Sequence, residues 1–165
     1  MIPTEPLPLH HSWPLWMAER FDLGRVIKLD SAPSDPVRIP LDTSANAWSC
    51  ELAGQRLDWG TDVRRLFGYP TSHCPQREEV VTLYEESSRA AMERLRAHAI
   101  RHRRGFTLDI AIRPVDGGRR WVRLVTMPVC EGKAVTCLKG WKADVSHLYG
   151  DAAPMPVPAP PLSRG

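Results

Sequence analysis

Residues 106–144 read FTLDIAIRPVDGGRRWVRLVTMPVCEGKAVTCLKGWKAD, and the glycines in this stretch divide it into three strands. Phe106, Leu108, Ile110 and Ile112 alternate with Thr107, Asp109, Ala111 and Arg113, the period of two that marks a strand with one buried face. Asp116-Gly117-Gly118 offers the positive-φ residues of a hairpin turn, leading into a strand from Arg120 to Cys130. Glu131-Gly132-Lys133 offers a second turn, into a strand from Ala134 to Asp144. The later strands are apolar on both sides: Trp121, Val125, Met127 and Val129 share one face, yet Val122 and Leu124 occupy the other. Such strands are usually covered on both faces. Helices should supply one cover, and either the Trp13/Trp16 segment or a second subunit the other.

Upstream, Glu85 to Arg103 predicts one long helix, with Ser88, Met92, Leu95, Ala99 and His102 as a stripe and Gly105 as its stop. At the helical rise it would be roughly 28 Å long, enough to lie across a sheet. Ala47–Leu52 and Gln55–Trp59 read as two short strands joined at Ala53-Gly54. Thr61 is placed to cap a short helix that ends at Leu66, with Gly68 as terminator. Near the start, Trp13, Trp16, Met17 and Phe21 fall at helical spacing after Ser12 and Pro14. A short amphipathic helix over residues 13–22 is therefore expected. Seven of the 16 prolines precede residue 45 and five follow residue 150. The chain thus divides into an extension (1–45), a domain (46–148) and a proline-rich tail (149–165), expected to be extended or disordered.

Two strands, short helices, a long helix and three antiparallel strands follow the order of the PAS fold, and specific residues strengthen the match. Leu66-Phe67-Gly68-Tyr69 resembles the signature closing the first PAS helix. Asp116-Gly117-Gly118-Arg119-Arg120-Trp121-Val122 is similar to the family's Asp-Gly…Arg-Trp-Val hairpin. Gly140 followed by Asp144-Val145-Ser146 resembles the Gly…Asp-Ile-Thr ending of its last strand. The resemblance spans residues 47–146. It implies an α/β (α+β) fold: a five-stranded antiparallel sheet with helices on one face, extended here by the N-terminal helix.

Composition is compatible with this. The 165 residues, 42% hydrophobic and 25% charged, suffice for a core without metal or disulfide staples. Cys50, Cys74, Cys130 and Cys137 form no Cys-x-x-Cys pair, which argues against a zinc ribbon or redox motif. No secretory signal and no run of about 18 apolar residues is visible, so a cytoplasmic protein without a membrane span is expected. A net charge of +3 makes no case for nucleic acid, and the arginines of the long helix read as a solvated face.

The resemblance implies a sensing or relaying module in which sheet and helices enclose an apolar pocket. Tyr84, Met92, Leu95, Phe106, Leu108, Ile110 and Leu124 are the residues expected near it, although they could equally just fill a core. Gly140, Asp144, Val145 and Ser146 form the expected signal-output motif. No effector domain is expected after them, so output would pass to a kinase or cyclase in trans or through a homodimer. His98 and His102 lie where some relatives hold haem, but the basic run Arg101-His102-Arg103-Arg104 suits a solvent-facing helix end. Cys74 keeps the cysteine of light-sensing relatives without its neighbouring asparagine and phenylalanine, which argues against a flavin adduct. No cofactor, metal or catalytic constellation is assigned, since Glu85, Glu86, Ser87 and Ser88 read as a helix start. The alternative function is a ligand-free scaffold that dimerises through the outer sheet face.

Overall fold

The computed structural model of the protein describes residues 8–17 and 45–149. His10–Pro14 forms a strand, β1, instead of the start of the expected helix. It pairs antiparallel with an otherwise open sheet edge, Trp13 opposite Gly105 and Pro14 opposite Arg104. Pro14, which has no N–H to give, is tolerated at the end of an edge strand. A helix would have put Trp13 and Trp16 on one side; instead Trp13 is fully buried and Trp16 is 76% exposed. Leu15–Met17 makes a single 3-10 turn, and the remainder of the expected helix lies outside the described residues, as does the tail from residue 150.

Ala47–Glu51 (β2) and Arg56–Trp59 (β3) form the first hairpin. Thr61–Leu66 (α1) follows, with Gly60 rather than Thr61 at the cap position and Gly68, at φ 78°, turning the chain after it. Arg77–Val81 (α2) begins beyond Pro75 with a reciprocal Gln76/Glu79 capping box. Glu86–His102 (α3) is the long helix. Arg104–Ile112 (β4), Arg120–Glu131 (β5) and Ala134–Asp144 (β6) are the three strands read from the hairpin glycines. The sheet is antiparallel, in the order β1-β4-β5-β6-β2-β3. It therefore has six strands, one more than expected, because β1 joins it.

Gly105 does not end α3. Arg103 does, in the left-handed region at φ 53°, and Gly105 is already part of β4. Its role is steric: the Trp13 ring lies against it so closely that a Cβ would collide with the indole. Across the sheet, the Ser88 hydroxyl accepts a hydrogen bond from the Ala111 N–H (2.8 Å) and docks α3 onto β4.

The three helices cover one face of the sheet. There Val63, Phe67, Val80, Ala91, Met92 and Ala99 meet the strand residues Phe106, Ile110, Val122, Leu124 and Leu138. The other face is also closed, and β4 is buried on both sides, not on one as its alternation suggested. Trp13 packs on Val125 and Trp141 and donates from its indole to Thr107 Oγ1 (3.2 Å). Ala111, Trp121 and Val145 form a second outer cluster. Between these clusters Arg123 donates two hydrogen bonds to the Asp109 carboxylate (2.8 and 2.9 Å). Tyr149 hydroxyl donates to the same carboxylate while its ring stacks on Trp121 at 4.1 Å. No helix among the described residues is long and apolar enough to cross a membrane.

Candidate functional site

Between the helix layer and the inner sheet face lies a cavity of about 50 Å³. Strand register decides what faces it. Leu124 on β5 is opposite Lys142 on β6, and Thr126 is opposite Gly140, which is also opposite Trp48 on β2. Lys142 and Thr126 therefore share the inner face with Leu124, Leu138 and Trp48, and all five line the cavity. Val80, Val81, Tyr84, Met92 and Phe106 complete much of its apolar wall, and the half-buried Arg77 and Arg96 stand at its rim.

Lys142 is only 4% exposed. Its Nζ sits 4.4 Å from the Trp59 ring centroid, 4.8 Å from Phe67 and 5.1 Å from Trp48. These π faces attract an ammonium, but no carboxylate among the described residues pairs with it. Removal from water pushes its pKa down to about 7, with only nearby Cys50 pulling it up. Thr126 is fully buried and its hydroxyl has no hydrogen-bond partner among the described residues; the indole N–H groups of Trp48 and Trp59 are in the same condition. Burying such groups unpaired costs about 1–3 kcal/mol each, so a polar occupant has something to offer here.

Of the residues expected near a pocket, Tyr84, Met92, Phe106 and Leu124 line this cavity. Leu108 and Ile110 are buried in the same core without reaching the cavity, and Leu95 is half-buried against that core. Sequence reasoning missed Lys142, Thr126, Trp48 and Trp59.

The haem and flavin candidates lie elsewhere. His98 and His102 are exposed, with rings 4.5 Å apart on the solvent side of α3. The expected stripe holds to Ala99, which is buried in the core, and fails at His102, the last helical residue before the chain turns at Arg103. Cys74 is exposed and lines a separate surface groove with Cys137. The cavity is also far below the roughly 300–1,000 Å³ of drug- or cofactor-sized sites, so neither group fits.

The expected output motif forms a lock at the end of β6. A Cβ on Gly140 would collide with the Val125 carbonyl, which explains the glycine. Asp144 Oδ1 accepts from the Ser146 N–H (2.8 Å), Ser146 Oγ accepts from the Trp121 N–H (2.9 Å), and the Val145 N–H donates to the Trp121 carbonyl (2.8 Å). These bonds hold the Ser146–Leu148 3-10 turn, and with it Tyr149, onto β5.

No family model matches the chain, and no curated protein does. Solved structures do. The N-terminal domain of a diguanylate cyclase with PAS/PAC sensor from Marinobacter aquaeolei is 18% identical at a TM-score of 0.55, over 61% of this chain and 94% of that one. A PAS domain from Colwellia psychrerythraea is 19% identical at 0.53, over 65% and 92%. An RNA-binding light-oxygen-voltage receptor matches at 0.56 with 11% identity, covering 66% of this chain, which spans only 31% of that receptor. Given this sheet order, the three helices packed on one face and these likenesses, the chain has the PAS fold.

Proposed function

We propose that the chain is a sensory relay module: a small ligand occupies the cavity, and occupancy passes along β6 to the Asp144–Ser146 lock and from there to a partner. The observation that carries this reading is a pair of cavity-lining residues, Lys142 and Thr126, whose buried amine and hydroxyl have no carboxylate or hydrogen-bond partner among the described residues. Polar groups in a core are ordinarily satisfied, and a ligand would satisfy these. Lys142 and Asp144 lie two residues apart on one strand. A backbone shift of β6 at Lys142 would therefore pass within two residues to the bonds that hold the C-terminal turn. A kinase or cyclase in trans is the kind of partner that such a turn could serve, and the similar sensor domain of a diguanylate cyclase supports that choice. The alternative, a ligand-free scaffold dimerising through the outer face, finds much of that face covered by the chain's own Trp13 and Tyr149.

Native mass spectrometry of the full chain, compared with its denatured mass, tests the proposal. Extra mass released on denaturation supports it. Bare protein from several growth conditions, with no change in amide exchange at residues 144–149 across a fragment library, would sink it.

A further inference from the structure

Resting on the sensory reading of this cavity, we infer that its ligand is a short-chain monocarboxylate, held by Lys142 and Thr126 with its alkyl end against Leu124, Leu138 and Met92.

Donor chemistry leads to this class. Lys142, Thr126, Trp48 and Trp59 line the cavity with Tyr84 and Cys50, and the Thr126 hydroxyl and both indole N–H groups are buried without a hydrogen-bond partner among the described residues. Among the described residues no carboxylate or side-chain amide lines it, so the set is complementary to an acceptor. An ionised acceptor is favoured because hydrogen bonds to charged groups are about twice as strong as neutral ones. Arg77 and Arg96 at the rim raise the local concentration of anions, even though Arg77 is paired with Glu93 and Arg96 reaches Gln55.

Size narrows the class. A cavity of about 50 Å³ accommodates about three to five water-sized groups, which matches acetate or propionate. The walls favour propionate over an inorganic anion: inside the rim arginines they are mostly Leu, Val, Met, Phe, Tyr and Trp side chains with Cys50, which would leave a compact, fully hydrated ion poorly compensated. The lowered pKa of Lys142 adds a signature. A bound carboxylate stabilises the ammonium form, so binding takes up a proton near neutral pH, and affinity should fall roughly tenfold per pH unit well above pH 7. The other titratable groups lining the cavity are Cys50 on β2, Arg77 on α2, Arg96 on α3 and Tyr84. Burial holds the Tyr84 hydroxyl protonated throughout that range.

Sodium propionate titrated calorimetrically into the full chain tests this, with propionamide and sodium chloride as controls. Saturable one-site binding by propionate alone is expected, with proton uptake visible between buffers of different ionisation enthalpy. Lys142→Met should weaken it at least tenfold and Thr126→Val several-fold, both with unchanged circular dichroism. Equal binding of propionamide, undiminished binding by folded Lys142→Met, or no propionate binding overturns the inference. A fragment screen read through the indole N–H resonances of Trp48 and Trp59 separates the two levels. Hits from other chemical classes only would overturn the carboxylate and leave the sensory cavity standing; an absence of hits from every class would overturn both.

Discussion

Lys142 and the Asp109–Arg123 pair are both buried charged groups, and they behave oppositely because only one has a counter-ion. Asp109 is 1% exposed and Arg123 8%. The bidentate contact with Asp109 holds the guanidinium pKa above its ordinary value despite burial. Breaking a buried pair strands the other charge, so Arg123→Met should cost roughly 3–5 kcal/mol in a urea melt. Lys142 has no such partner among the described residues and is destabilising while charged. Its folded pKa of about 7 lies below the 10.5 of an ordinary lysine, so between those values the unfolded chain binds more protons and stability rises with pH. Lys142→Met should therefore be more stable than the parent at pH 6, by a few kcal/mol, since each tenfold loss of proton affinity corresponds to about 1.4 kcal/mol. That advantage should shrink as pH climbs from 7 towards 10. Paired melts across pH 6–10 check this, and a constant difference would mean that the lysine is not desolvated in the folded state.

Among the elements, α3 and β1 show how side chains tie secondary structure to the sheet. Periodicity alone located α3 to within one residue at each end, because Ser88, Met92 and Ala99 repeat on the buried stripe. It could not show that Ser88 is buried for a reason beyond packing. Its hydroxyl satisfies the Ala111 N–H, so Ser88→Ala should cost about 1–3 kcal/mol and speed amide exchange at Ala111. The β1 segment was misread for a physical reason. Four residues at helical spacing also suit a short strand and turn, and the open edge of β4 offers backbone partners that a lone helix lacks. Gly105→Ala places a methyl group under the Trp13 indole, so it should release β1 while leaving β2–β6 intact. Loss of exchange protection confined to residues 10–14 and their β4 partners would show it.

For the molecule as a whole, the outer sheet face is closed by both ends of the described chain, Trp13 from one side and Tyr149 from the other. Trp13→Ala should cost roughly 3–5 kcal/mol and uncover Val125 and Trp141, giving concentration-dependent self-association by light scattering; a variant that stays monomeric would show that this face is not adhesive. The sequence by itself determined the hairpins, the long helix and the family resemblance, because these rest on glycine conformation, local periodicity and motif order, all properties of neighbours in the chain. The two-faced strands likewise announced that both sides of the sheet would be covered. Only the tertiary structure decided what covers them, and which face Lys142 occupies. A β-bulge between Val129 and Cys130 shifts the β5–β6 register by one; counted back from the turn without it, Lys142 would pair with Arg123 instead of Leu124. A one-residue slip moves every side chain to the opposite face. The amine therefore lies in the cavity and not on the outer face because of an irregularity set by long-range strand pairing, which no local pattern records.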